Sequence, residues 1–141
     1  MLLSAAATGL VASSSGVYAS GIIADEGAEE SGLLPYEIIT HIDGEAISEY
    51  SDFSYEMSDL SAGDVAVFTV LSHVDSQGER TQRDILVILG DRYDYYIGLC
   101  DGDSDCISET EGILDELGIE QGDAFLGVSG LRSTSTTVDM Y

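Results

Sequence analysis

Gly16–Ile23 reads Gly-Val-Tyr-Ala-Ser-Gly-Ile-Ile, and this stretch decides how the chain begins to fold. Val17–Ile23 has β-branched and aromatic residues and is bounded by Gly16 and by the turn-forming residues Asp25-Glu26-Gly27, so it is predicted to form a β-strand. A short helical turn over residues 28–34 is expected next. It ends before Pro35, because a proline disfavours helical geometry in the residue before it.

Four more strands are predicted in the first two thirds of the chain. Tyr36–Ile42 is the first, Asp43-Gly44 closes it with a strong turn signal, and a short return strand around Ala46-Ile47 follows. Val65–Leu71 and Asp84–Leu89 have the character of buried strands, and the segment between them is polar and contains Gly78. These two strands are therefore expected to form a hairpin with a long tip.

One amphipathic helix is predicted between these strands, over Ser51–Leu60. Phe53, Met57 and Leu60 follow the spacing i, i+4, i+7, which places them on one helical face. Ser51 or Asp52 is available as the helix cap. These three apolar side chains are more typical of a core than of a binding surface, and both interpretations stay open.

The last third of the chain is less regular. The aromatic stretch Tyr93–Leu99 is expected to form an edge strand, Glu109–Leu117 a short helix that ends at Gly118, and Ala124–Val128 another strand. The Ser/Thr-rich residues 133–141 are expected to form a linker or a frayed end.

The charge of the chain excludes several classes of partner. Its 141 residues include 27 acidic and four basic side chains, so the formal net charge is −23. Nucleic acid is excluded because phosphate binding needs clustered cations, and anionic membrane surfaces would repel the chain. Molar salt shortens the Debye length to roughly 3 Å and screens this repulsion, so the composition is typical either of a salt-loving organism or of a merely acidic protein.

Cys100 and Cys106 are the two cysteines of the chain, and the five residues between them include a glycine. A disulfide in an oxidising compartment is the leading interpretation, with free thiols as the alternative. Asp101, Asp103 and Asp105 have the spacing of a calcium loop but lack its glycine and its bidentate glutamate, which favours a solvated acidic loop.

No catalytic motif is recognised in these residues. No Ser-His-Asp order, nucleotide-binding glycine loop or cofactor motif is present, and no catalytic or metal-ligating residue is assigned. The segment 1–15 is apolar but has no basic start, and it is too short to span a membrane. It is expected to be either the outer end of a membrane helix or a buried first strand.

The order strand, turn, strand, helix and hairpin resembles a PDZ domain of the prokaryotic protease-associated type. The residues that carry the resemblance are Gly16–Ile23, Gly27–Leu33, Ile38–Gly44 and Ala62–Asp64. The chain departs from the family at Glu26-Gly27-Ala28, where Ser-Pro-Ala is usual, and at Tyr36-Glu37, where Gly-Asp is usual.

The resemblance implies an α+β fold that is mostly β, a partly open barrel or sandwich with one main and one short helix. It implies an apolar segment at 1–15, a PDZ-like domain at 16–92, an acidic extension at 93–132 with the disulfide and a short helix, and a linker or frayed end at 133–141.

A second resemblance concerns the protein to which such a domain belongs. Gly16-Val17-Tyr18 and Ala124–Val128 look like the extramembrane region of archaeal site-2-type proteases, which are zinc enzymes embedded in the membrane. Neither His41 nor His73 has a histidine at i+4, so the zinc-binding His-Glu-x-x-His motif is absent here. The resemblance therefore implies an extracytoplasmic, non-enzymatic region without a cofactor, with zinc and membrane attachment supplied by the host.

A PDZ domain binds a polypeptide segment or C-terminus as an added strand beside a helix. The resemblance places this groove between an early strand and the helix 51–60, with Phe53 and Met57 as contacts and Gly9, Leu10 and Val11 as the carboxylate loop. Phe125–Val128 is a closer copy of that loop motif, and it either starts a second unit or closes the groove from the other end. The net charge favours filtering of internal segments over capture of a carboxylate.

Two alternative functions stay open at this point. The domain could belong to a Deg-type serine protease or act as a free-standing peptide-binding adaptor. It could also be a structural extracytoplasmic domain whose groove is occluded by residues 93–141.

Overall fold

A computed structural model describes residues 15–134 of the chain. This part is a mixed α+β fold, mostly sheet, built on an open antiparallel sheet with four helices. The strands are β1 (Val17–Ile22), β2 (Ile38–Ile42), β3 (Glu45–Ala46), β4 (Val65–Leu71), β5 (Gln82–Ile88), β6 (Gly90–Asp91), β7 (Ala124–Phe125) and β8 (Val128–Ser133). The helices are α1 (Gly27–Ser31), α2 (Tyr50–Ser58), α3 (Arg92–Gly98) and α4 (Ser104–Leu117).

The main sheet has the strand order β5-β4-β2-β1-β8, with β3 paired to β2. Strands β6 and β7 form a separate two-stranded ladder. The hairpin predicted from the two buried-strand patterns is present, since β4 and β5 pair from Val65↔Ile88 to Leu71↔Gln82.

The core forms where apolar side chains of neighbouring strands meet on one face of the sheet. Val17, Ile39 and Val70 are successive cross-strand partners on β1, β2 and β4, and all three are fully or almost fully buried. Cross-strand partners share a face, so their burial defines the inner side of the sheet. Ala28 of α1 and Phe53 of α2 belong to the same apolar cluster, which places both helices against it.

Helix α2 begins one residue earlier than predicted. Asp52 stabilises the start from within the first turn, because its Oδ2 accepts the N–H groups of Ser48 (2.9 Å) and Glu49 (3.2 Å). Phe53 is the buried residue of this helix, and Met57 and Leu60 pack against the core from partly buried positions.

The prediction of an edge strand at Tyr93–Leu99 is wrong, because this segment is helix α3. Asp91 is its N-cap and accepts the N–H of Asp94 at 3.0 Å, which favours helical geometry in the following residues. Helix α4 begins at Ser104, five residues before the predicted start, because Asp103 caps it through the N–H groups of Asp105 and Cys106.

The predicted strand Ala124–Val128 is divided in two. Gly127 has a φ of +92° and separates β7 from β8. Strand β8 pairs antiparallel with β1 from Ile22↔Val128 to Val17↔Ser133, so Ser133 is a buried strand residue and not part of a linker. Residues 135–141 lie outside the described range.

The residues predicted to form an acidic extension return to the main sheet through β8. Between β6 and β7 they form the helical pair α3 and α4, which the disulfide Cys100–Cys106 joins, with an S–S distance of 2.02 Å. Within residues 15–134, none of the helices combines the length and the apolar character needed to cross a membrane.

Candidate functional site

A cavity of about 680 Å³ lies between helix α2 and the end strand β8. Helix α2 contributes one long wall through Tyr50, Phe53, Ser54, Met57 and Ser58. Strand β8 contributes the other wall with residues 128–131. The cavity ends at the β7–β8 loop and at α3. The loop region contributes Phe125, Leu126 and Gly127. Helix α3 contributes Arg92, Tyr95 and Tyr96, and Leu99 follows directly after it.

Strand β8 is the last strand of the main sheet, so within residues 15–134 only one of its edges has a strand partner. Along residues 128–131, which line the cavity, the other edge could form main-chain hydrogen bonds with an added strand. The N–H of Tyr50 donates to Ser133 Oγ at 2.6 Å, which ties the start of α2 to the end of β8. The helix and the strand edge are thereby held side by side as the two walls of a groove.

The expectation that an early strand borders the groove is wrong. Strand β1 has partners on both sides, β2 on one and β8 on the other, so it cannot accept a further strand. The C-terminal strand β8 takes the groove position instead. Sequence patterns do not specify this arrangement, because it depends on a pairing between the two ends of the described chain.

The loop at the end of the groove, Leu126-Gly127, is anchored through its carbonyl groups. Leu126 O accepts the N–H of Ala28 and Gly127 O accepts the N–H of Ile23, both at 2.9 Å. Gly127 is required here, because its φ is positive and an added Cβ would collide with the side chain of Glu26. Both loop residues are buried.

The N–H groups of this loop are available for a ligand. Within residues 15–134, neither Leu126 N–H nor Gly127 N–H has an acceptor. Buried main-chain donors normally have a partner, since an unpaired one costs free energy. An oxygen atom of a bound molecule, such as a peptide carbonyl or carboxylate, would satisfy them.

The lining of the groove is less acidic than the chain as a whole. Its charged residues are Arg92 and Asp123. Asp123 Oδ2 already accepts the N–H of Glu120 at 2.9 Å. Glu26 lies behind the loop, and its pKa is raised by burial and by the neighbouring charges of Glu30 and Asp25, so negative charge is disfavoured there.

An aromatic cluster forms the end wall. The ring of Tyr95 stacks on Phe125 with a centroid distance of 4.7 Å, and Tyr96 lies 6.4 Å from Phe125. Helix α3 that carries the tyrosines is tied to α4 by the disulfide and by the contact of Tyr93 Oη with Glu111 at 3.4 Å. The end wall is therefore apolar and fixed in place.

The structure brings two of the five predicted peptide-contacting residues together. Phe53 and Met57 both line the groove from α2, while Gly9, Leu10 and Val11 lie outside the described residues. The segment Phe125–Val128 lies at the end of the groove and continues into β8 of the same sheet, so it does not begin a second unit.

The groove residues of α3 were missed by the sequence analysis because that segment was interpreted as a strand. A helical signal is nevertheless present, since Arg92, Tyr95, Tyr96 and Leu99 follow the spacing i, i+3, i+4, i+7. All four line the cavity.

Both histidines lie within hydrogen-bonding distance of a neighbouring oxygen. His41 Nδ1 lies 2.9 Å from Thr40 Oγ1, and His73 Nε2 lies 2.6 Å from Pro35 O. Within residues 15–134, no cluster of three or more histidine, cysteine or acidic side chains is placed to hold a metal ion.

Comparisons with known proteins do not assign a family to this chain. No protein-family model matches the sequence, and no curated protein matches it.

Proposed function

We propose that this chain is a PDZ-like peptide-recognition module that binds an extended polypeptide segment along residues 128–131 of β8, opposite α2. One observation carries this proposal: residues 128–131, which have a strand partner on one side alone within residues 15–134, face the amphipathic helix α2 across a cavity that is also lined by Leu126 and Gly127. Main-chain bonds to β8 would supply affinity, and side chains of α2 would supply preference.

The resemblance to PDZ domains supports this proposal, although the loop and the strand of the groove come at a different place in the chain. The family usually has its carboxylate loop before the first strand, whereas here the Phe-Leu-Gly-Val motif at 125–128 follows the helical segment α3–α4. Its position at the groove end is the one that such a loop needs, and the strand that follows it forms a wall of the groove.

We further propose that the module is the extracytoplasmic region of a membrane-embedded site-2-type zinc protease, in which it selects the polypeptide segments that reach the zinc. The disulfide supports an oxidising location. A Deg-type host or a free-standing adaptor would use the same groove. From the 93–141 range, Tyr95, Tyr96, Leu99 and residues 123–131 line the cavity without filling it, which favours an open groove over an occluded structural domain.

The test is to place a large side chain in the groove from an exposed position of α2, so that the buried core of the protein is unchanged. Ser54 and Ser51 are both exposed residues of α2, but only Ser54 lines the cavity. We expect Ser54→Trp to abolish peptide binding, whereas Ser51→Trp, the matched control, should bind like the wild type. Binding is measured by selection from two displayed random-peptide libraries in molar KCl, one with free C-termini and one with both ends fused.

The outcome separates the hypotheses plainly. Enrichment from either library with the wild type and with Ser51→Trp, but not with Ser54→Trp, supports the groove. Failure of the wild-type chain to enrich any peptide, or equal enrichment by both variants, overturns the proposal.

A further inference from the structure

The segment between β6 and β7 forms one end of the groove and lies after the four segments that carry the PDZ resemblance, the last of which is Ala62–Asp64. We call residues 92–123, which contain α3 and α4, the helical insert. Only α3 and the residue after it reach the cavity, together with Asp123 at the other end of the insert. Three features of the insert point to the kind of ligand that it contacts.

The first feature is Arg92, the one cationic residue that lines the described cavity. Its main-chain N–H donates to Asp123 O at 2.9 Å, which fixes its position at the start of α3. Its guanidinium group makes no hydrogen bond or ion pair with any residue in the range 15–134. Arg83 and Arg80, in contrast, bond to Glu37 and to Ser72 O.

Arg92 differs from the other arginines by its position at the cavity. Like Arg132, it has no side-chain bond within residues 15–134, and no carboxylate of the described residues lies within ion-pair distance of it, although the sequence has 27 acidic residues. Asp123, the one acidic residue in the lining, uses its Oδ2 in the turn that begins at Glu120. The guanidinium is therefore available to an anionic group that enters the groove.

The second feature is the aromatic surface beside Arg92. Tyr95 and Tyr96 follow it on the same helical face, and Tyr95 stacks on Phe125. This surface can take up a large apolar or aromatic side chain through offset or edge-to-face contact. Leu126 and Gly127 line the same end of the cavity, and their N–H groups, which have no acceptor within residues 15–134, can donate to an oxygen atom of a ligand.

The third feature is the rigidity of the insert. Besides the disulfide, Gln121 Nε2 donates to Asp94 Oδ1 at 3.1 Å, and the N–H of Gly122 donates to Asp91 Oδ2 at 2.8 Å. These bonds tie both ends of the insert to each other. A wall held in this way contacts a ligand without a large loss of conformational entropy.

We propose that the helical insert determines the specificity of the groove, with Arg92 binding a carboxylate of the peptide and the Tyr95–Tyr96 face binding a large apolar side chain next to it. This inference rests on the proposed peptide recognition. The carboxylate comes either from the C-terminus of the peptide or from an aspartate or glutamate side chain. The overall charge of −23 predicts repulsion of such a ligand, but the guanidinium of Arg92 can pair with it by direct contact once salt screens the distant carboxylates.

The experiment uses four fluorescein-labelled hexapeptide pools in molar KCl, with binding followed by anisotropy. The first ends in phenylalanine with a free carboxylate, and the second is the same pool with a C-terminal amide. The third has aspartate before the phenylalanine amide, and the fourth ends in alanine with a free carboxylate. We expect the wild type to bind the first or the third pool at least about tenfold more tightly than the second.

Arg92→Gln tests the residue directly. We expect this variant to lose the preference for a carboxylate and to bind the amide pool as the wild type does. Arg80→Gln is the matched control, because it removes the same charge between β4 and β5, at a residue outside β8 and outside the cavity lining. Arg92→Lys should keep most of the preference. The ratio of affinities for the first and fourth pools measures the aromatic contact, and Tyr95→Leu should reduce it.

Each outcome tests either the role of Arg92 or peptide recognition itself. Preference for the first pool identifies a terminal carboxylate, and preference for the third identifies a side-chain carboxylate. Equal binding of acid and amide by the wild type, or equal loss for all pools in Arg92→Gln, overturns the role of Arg92 and leaves peptide recognition standing. Absence of binding to every pool overturns peptide recognition and this inference together.

Discussion

At the scale of single residues, Glu37 is the polar group on which folding depends most directly. Its side chain is 1% exposed and pairs with Arg83, whose Nη2 lies 2.8 Å from Glu37 Oε1. The N–H of Leu34 donates to the same oxygen at 2.9 Å, and Arg83 also donates to Gly32 O. One ion pair thus connects strand β5 to the turn before β2, where the sequence departs from the PDZ pattern at Tyr36-Glu37.

The pKa of Glu37 makes this pair dependent on pH. Burial alone would raise that pKa, but the hydrogen bonds from Arg83 and Leu34 and the charge of Arg83 outweigh burial and hold it below 4.5. Because the folded-state pKa lies below the unfolded value, the stabilisation is complete above pH 4.5 and is lost as the pH falls through the folded-state pKa.

We therefore expect Glu37→Gln to lower the free energy of unfolding by about 2 kcal/mol near neutral pH, less than for a fully buried pair because Arg83 is partly exposed. Urea unfolding followed by circular dichroism measures the loss, and it should shrink below pH 4.5. Glu109→Gln is the control, since that exposed carboxylate has no side-chain bond within residues 15–134. A loss that stays constant down to about pH 3 would contradict the linkage.

At the scale of elements, sequence patterns predicted those segments whose structure depends on near neighbours. Strand β4 has the predicted bounds because its inner and outer residues alternate locally, and α2 was found from the apolar face of Phe53 and Met57. Helix α3 was missed because aromatic residues are compatible with both a strand and a helix, although the cap at Asp91 and the helical spacing of Arg92, Tyr95, Tyr96 and Leu99 favour the helix. The position of β8 could not be predicted, because it depends on pairing with distant β1.

The candidate site was predictable to the same extent. Its α2 wall follows from local periodicity, whereas Arg92 and the tyrosines enter the groove through the tertiary position of the helical insert. The wall formed by α2 can therefore be predicted from the sequence, whereas the opposite wall depends on long-range contacts.

The disulfide within the helical insert yields a prediction at this scale. Cys100–Cys106 closes a short loop between α3 and α4, and such a crosslink restricts the unfolded chain. We expect the double variant Cys100→Ser/Cys106→Ser to lose about 2 kcal/mol of unfolding free energy, and the wild type in a phosphine reductant to lose a similar amount. Urea unfolding checks this, with the reductant added to the double variant as the control. Coincident unfolding curves for oxidised and reduced wild type would contradict the prediction.

At the scale of the whole molecule, repulsion between carboxylates is offset by very few attractive pairs. The formal charge is −23, whereas Arg83 and Glu37 form the one ion pair within residues 15–134. Self-repulsion of this kind destabilises a folded chain more than an extended one, because folding brings the charges closer together. Added salt should therefore stabilise the fold by screening.

We expect the melting temperature to rise by about 5 °C or more between about 0.1 M and 2 M KCl, as measured by circular dichroism. Because concentrated salt also strengthens apolar burial, the control must change charge at constant salt. A variant with glutamine at four exposed glutamates that lack side-chain bonds within the described range serves this purpose: Glu30, Glu45, Glu109 and Glu116. Screening requires this variant to be more stable than the wild type at low salt and to gain less from KCl. If the melting temperatures of the variant and the wild type rise equally with KCl, the stabilisation comes from stronger apolar burial. Charge repulsion is then not the dominant cost of folding.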